Sequence, residues 1–231
     1  DMRDAINDDE FADFETNTRP RERAAEVAQQ CLEEGVEAWF NDPETPDAVF
    51  EQAFEERYKP GVGEALLDGY RRGSRMPEEL ASFHVGTWDY SLYSEGFLAP
   101  SESFGLDDGV SEFISVDELI DHDTLDADYR TIPEYVGGDD DGVTPPELAD
   151  RVEENGERAL AIADELRAEV AAGDGALECE IDDVEAWGHL GRYFAEKLRG
   201  GVALRTYREG GDEADRERAV GHLREARDHW D

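Results

Sequence analysis

Residues 182–208 read DDVEAWGHLGRYFAEKLRGGVALRTYR, and this stretch decides the fold. Val184, Trp187, Leu190, Phe194, Leu198 and Val202 recur at steps of three and four, the period of an α-helix. The helix is apolar on several sides, which predicts central burial in a bundle. Gly188 and Gly191 would let the backbone of a neighbouring helix come close. Downstream, Gly210-Gly211-Asp212 stops this helix and caps the next, whose stripe is Ala219, Val220, Leu223, Ala226 and Trp230. So short a break makes the two helices antiparallel neighbours, with Gly188 and Gly191 expected at their contact and Trp187 as a core anchor.

Working upstream, Thr144-Pro145-Pro146-Glu147 is a capping box with proline at the first helical position. The stripe Leu148, Val152, Ala159, Ala163, Leu166 and Val170 follows it and stops near Gly173. The N-terminal third is also helical. Thr18 caps a helix to about Phe40 carrying Ala24, Ala28, Cys31, Leu32, Gly35 and Trp39. Thr45-Pro46-Asp47 starts another with Val49, Phe50, Ala53, Phe54 and Tyr58. Lys59-Pro60-Gly61 breaks it, and a short helix with Leu66, Leu67 and Tyr70 follows.

Between Pro77 and Gly142 the periodicity weakens and loop residues become common. Ser115 and Glu118 form a capping box before Leu119 and Ile120, and Gly137-Gly138-Asp139-Asp140-Asp141-Gly142 reads as a linker. The expected fold is mainly α, an irregular helical bundle or array with a loop-rich aromatic middle segment. Its parts are N-terminal helices (1–76), the aromatic segment (77–142) and C-terminal helical hairpins (143–231), packed together as one domain. The opening at Asp1 makes a segment of a longer protein the expectation.

Charge narrows the partners. There are 61 acidic residues against 22 basic ones, for a net charge of −39, and lysine occurs at Lys59 and Lys197 alone. Disorder is the first alternative for such a charge, but 10% aromatic residues and helical periodicity argue for a packed core. A folded chain of this mass exposes about 10,500 Å², so its net charges sit about 16 Å apart. With a screening length of about 8 Å at physiological ionic strength, their repulsion sums to a few kcal/mol, comparable with net stability. The composition reads as halophilic, of an archaeal type, suited to a salt-rich cytosol. It weighs against nucleic acid and anionic membrane as partners, and no apolar run reaches membrane-spanning length.

Signatures of specific chemistry are absent: no phosphate loop, no GxSxG elbow, no HExxH and no paired CxxC. None of His84, His122, His189, His222 or His229 has a glutamate three residues earlier, as a di-iron bundle requires. Aligning Gly142 with the sixth position of a calcium loop puts Gly137 and Leu148 where acids are needed. His222 and His229, two turns apart, are conceivable as a ligand pair but read more simply as solvated or core-edge residues. Cys31 and Cys179 fall on apolar helical faces and read as buried thiols. The expectation is no metal and no cofactor, with catalytic residues unknown.

The segment from Phe83 to Phe97 holds five aromatics, a histidine and two carboxylates. Aromatic faces stack on sugar C–H surfaces while carboxylates accept hydroxyl protons. His84, Trp88, Asp89, Tyr90, Tyr93 and Glu95 are therefore candidate carbohydrate-binding residues. The competing reading is an aromatic cluster packing an irregular region onto the helices.

Two resemblances add to this. Trp187-Gly188-His189-Leu190-Gly191-Arg192-Tyr193-Phe194, with Ala203 and Tyr207, resembles part of a tetratricopeptide repeat, which implies a helical protein-interaction module. The stretches 88–98, 113–116 and 125–133, with the helices from Asp182 to Trp230, resemble the helical region after the catalytic barrel of large glycoside-hydrolase-like proteins. That resemblance implies an accessory domain beside an upstream catalytic domain of the same chain, with a polysaccharide or oligosaccharide as ligand. Such enzymes carry their acid and nucleophile on the barrel, and no alternating strand–helix pattern here could build one.

The charge argument yields a direct test. The thermal midpoint is expected to rise as KCl is raised from low salt to about 2 M, since screening removes repulsion and salt strengthens apolar burial. A midpoint that stays level across that range would refute the repulsion argument.

Overall fold

The computed structural model describes residues 45–84, 119–121, 123, 124, 126–170 and 175–230. These described residues form six helices: α1 (Asp47–Arg57), α2 (Gly63–Phe83), α3 (Ile132–Val136), α4 (Pro145–Glu169), α5 (Gly175–Gly210) and α6 (Glu213–Trp230). Among the described residues there is no strand, and Tyr129 and Val143 form an isolated parallel bridge. The protein is mainly α. The helix expected over 18–40, with Cys31, and the Ser115–Glu118 capping box lie outside the described residues.

The helices distribute over two compact units, Asp1–Gly69 with Ile162–Val184, and Tyr70–Ala161 with Glu185–Asp231. In the first, the break at Lys59-Pro60-Gly61 forms as expected, with Gly61 at φ 91°. Lys59 Nζ donates to the Glu169 carbonyl (2.8 Å), covering an otherwise open group at the end of α4. Tyr58 donates to Glu180 Oε1 (2.6 Å). Val62, Leu66, Ile162, Ala163, Leu166, Leu177, Ile181 and Val184 are buried, whereas α1 buries none of its residues fully.

The second unit holds a core of Met76, Leu80, Phe83, Leu119, Ile120, Ile132, Leu148, Val152, Tyr193, Phe194, Leu198 and Ala226. Here α2 departs from expectation, running through Pro77 to Phe83. An interior proline costs about 3 kcal/mol. Met76, Leu80 and Phe83 lie at i, i+4 and i+7 and are all buried, and each large apolar side chain contributes about 1.5–3 kcal/mol. Burial wins.

The Gly137–Gly142 run is not a linker. Residues on both sides of it belong to the second unit. Arg130 N–H donates to the Val143 carbonyl (2.9 Å) and Val143 N–H to the Asp128 carbonyl (2.8 Å), which ties the ends together. Arg130 pairs with Asp139 (3.3 Å) inside the loop. Two capping boxes flank it. Thr144 and Glu147 bond reciprocally as expected (2.9 and 3.4 Å). Thr131 and Glu134 do the same at the start of α3 (2.8 and 3.2 Å), a second box of the same pattern.

Gly188 and Gly191 do permit close approach, but to α4 rather than α6. A Cβ on Gly191 would lie 2.5 Å from Met76 Sδ, 2.7 Å from the Val152 carbonyl oxygen and 2.9 Å from Gly156 Cα. A Cβ on Gly156 would lie 2.7 Å from the Gly188 carbonyl oxygen. The seam facing α6 is Gly200, against Leu223 and His222. Trp187 is half-buried and packs over Gly73 of α2, so it anchors a different contact from the one expected.

The two kinds of glycine should answer alanine oppositely. Gly191→Ala is expected to destabilise by about 1–3 kcal/mol, because the methyl meets backbone. Gly221→Ala, in α6 with nothing within 4 Å of its would-be Cβ, should stabilise by about 0.5–1 kcal/mol through helix propensity. Denaturant unfolding at fixed high salt separates the signs, and two changes of the same sign would contradict the seam.

Candidate functional site

Among the described residues, a dense set of chemistry-bearing side chains lies where α6 returns along α5. Positions 189, 192, 196 and 199 recur on one face of α5, and 222, 225 and 229 on one face of α6. Glu196 is buried at the centre. Its Oε2 lies 2.7 Å from His222 Nδ1, and its Oε1 accepts from Arg199 Nη1 at 3.0 Å. Arg199 Nη2 donates in turn to Asp150 Oδ1 (2.7 Å) and Glu153 Oε2 (2.6 Å) of α4. Glu225, one turn beyond His222 and exposed, brings its carboxylate in, so that donor atoms of Glu196, His222 and Glu225 all lie within 4.8 Å of one another.

Burial works against the ionised Glu196 carboxylate. The hydrogen bonds from His222 and Arg199 outweigh it and hold the group below the ordinary glutamate range. His229 is shifted down by burial and by the positive charge of Arg192. Beneath this surface Lys197 is buried, and burial pushes its amine well below the usual lysine range. Its Nζ donates to the Tyr193 hydroxyl (3.0 Å), and burial raises that phenol.

Of the residues expected to bind carbohydrate, His84 is described and is buried just past the end of α2, beside Phe83. Trp88, Asp89, Tyr90, Tyr93 and Glu95 lie outside the described residues. Cys179 is half-buried on α5. The tetratricopeptide-like motif sits within α5, which continues unbroken from Gly175 to Gly210. This stretch therefore does not make the helix–turn–helix of that repeat. Among the described residues no helix is long and apolar enough to cross a membrane.

The glutamate–histidine cluster escapes sequence pattern for a specific reason: the di-iron pattern puts glutamate three residues before histidine, whereas here Glu225 follows His222 by three and the third group comes from 26 residues upstream. The signal that could have found it is the short Gly210–Asp212 break, which folds the 189/192/196/199 face onto the 222/225/229 face. Comparison with protein-family models, curated proteins and solved structures finds no match for the chain.

The fork on Arg199 predicts a mutational contrast. Arg199→Lys cannot hold three carboxylates in two directions and should lose about 1–3 kcal/mol of stability. Arg216→Lys, whose partner Glu213 is one turn away on the exposed face of α6, should change stability by less than about 0.5 kcal/mol. Equal losses in urea titrations would mean that Arg199 is an ordinary surface pair.

Proposed function

We propose that this chain is an accessory helical domain of a halophilic polysaccharide-processing glycoside hydrolase, holding an aromatic segment toward the substrate of a catalytic domain elsewhere in the protein. The observation that carries this reading is how the two sides of residues 85–118 are held. On the N-terminal side Phe83 and His84 are buried, and on the C-terminal side Leu119 and Ile120 are buried. Phe83, Leu119 and Ile120 belong to one core cluster. The Asp126 N–H also donates to the Ser82 carbonyl (3.0 Å), tying the returning chain to the end of α2. Binding residues are often carried on segments between points fixed by a rigid scaffold. The sequence between those points contains Trp88, Asp89, Tyr90, Tyr93 and Glu95, a composition suited to stacking on sugar rings and accepting hydroxyl protons. The resemblance to the region after the barrel in glycoside-hydrolase-like proteins supports the same reading. The unbroken α5 weighs against the tetratricopeptide alternative.

The test is retention on insoluble xylan, cellulose and chitin in about 2 M KCl, where nonspecific charge effects are screened. Retention on at least one matrix is expected, weakened about tenfold or more by Trp88→Ala. No retention on any of them, or retention indifferent to Trp88→Ala, removes the carbohydrate role. Hydrolysis of labelled glycosides by the chain alone would place a catalytic centre within it and sink the accessory reading.

A further inference from the structure

We infer that Glu196, His222 and Glu225 form a binding site for a divalent metal ion of the zinc class. This inference is independent of the carbohydrate reading and concerns another part of the second unit.

The donor set is mixed rather than merely acidic. One imidazole nitrogen and two carboxylates suit zinc, which takes nitrogen and oxygen donors at about 2.0–2.2 Å in tetrahedral sites. At such bond lengths neighbouring donors sit about 3.3 Å apart. The three donors here already converge within 4.8 Å. Glu196 and His222 stand 2.7 Å apart and would part slightly. Glu225, exposed and at the end of a flexible side chain, would move inward. The ion then takes the place of the proton between His222 Nδ1 and Glu196 Oε2, and that proton passes to Nε2 or to water. A fourth coordination position stays open.

The surroundings resemble the outer support of a metal centre. Glu196 does not swing freely, because Arg199 Nη1 holds its Oε1 and leaves Oε2 directed at His222. Arg199 is itself held by Asp150 and Glu153. Such outer partners orient the ligating atom and limit the reorganisation that binding requires. Charge points the same way. The carboxylates of Asp150, Glu153 and Glu196 share the guanidinium of Arg199, Glu225 adds a further carboxylate beside Glu196 and His222, and even with Arg192 acting on nearby His229 the balance is negative. A divalent cation brings that cluster closer to neutrality.

The experiment titrates the chelator-stripped chain with zinc chloride in about 2 M KCl with excess magnesium, which suppresses scattered binding to surface carboxylates. Calorimetry should give one site per chain, and the thermal midpoint should rise with zinc as mass action requires. Glu225→Ala, at an exposed position where folding is not at risk, should weaken zinc binding about a hundredfold while leaving the metal-free midpoint nearly unchanged. Arg199→Lys should weaken it about tenfold through the outer support. Cobalt in place of zinc should give intense visible bands that Glu225→Ala abolishes. Absence of a one-to-one site, or a site of the same affinity in Glu225→Ala and His222→Asn, overturns the inference.

Discussion

At the crossing of α4 and α5 the two backbones touch, with Gly156, Gly188 and Gly191 standing where any side chain would hold them apart. Ordinary helix pairs keep their axes 8–10 Å apart because side chains fill the space between them. Here the Val152 carbonyl and the Gly156 Cα occupy that space. The crossing is antiparallel: Leu160 meets Gly188, Val152 meets Gly191, and Asp150 and Glu153 meet Arg199. Because the helices start this close, the Arg199 fork can span to α4 with one nitrogen and turn to Glu196 with the other. Glu196 is placed for His222 only because that fork is in place. The polar cluster is thus a consequence of three missing side chains one to three turns away.

Helix existence was legible because its signals are local. The Thr144–Glu147 box, the breaks at Pro60-Gly61 and Gly210-Gly211, and the apolar steps along α4 and α5 each declare themselves within a few residues. Direction was not legible. A helix apolar all round does not say which face meets which neighbour, so Gly188 and Gly191 were assigned to α6 when they face α4. Pro77 looked like a boundary because its cost is local, while the burial of Met76, Leu80 and Phe83 that overrides it is tertiary. The Gly137–Gly142 run has linker composition, yet hydrogen bonds from residues outside it close it into a loop. Thr131–Glu134 carries the same capping pattern as Thr144–Glu147, but it lies in a stretch whose weak periodicity does not announce a helix.

The candidate cluster illustrates a different limit. With 61 carboxylates in 231 residues, nearly every histidine has an acid nearby in sequence, so proximity along the chain carries almost no information. What distinguishes Glu196 is burial against a histidine and the Arg199 fork, which appears only once the core is assembled. The cations are more telling because they are scarce. Both lysines have partners within the fold: Lys59, at the surface, donates to the Glu169 carbonyl at the end of α4, and Lys197 lies in the core against Tyr193. In a chain this acidic, a positive group inside the fold has a structural assignment.

The same reasoning bears on how α6 keeps its place. Its fully buried apolar contribution is small, Ala219 and Ala226, while Leu223 is half-buried and Val220 exposed. Leu223 and His222 seat against Gly200 of α5, and the Glu196–His222 contact adds a polar constraint to that register. Sliding α6 by a turn would leave a buried carboxylate short of a partner, a cost of about 1–3 kcal/mol, comparable to burying a large apolar side chain. A polar pair therefore reinforces the register that the Leu223–Gly200 seam and the short break already favour, much as a single buried polar residue reinforces register in a coiled coil. That is why a charged group sits at this position on an otherwise well-packed helix.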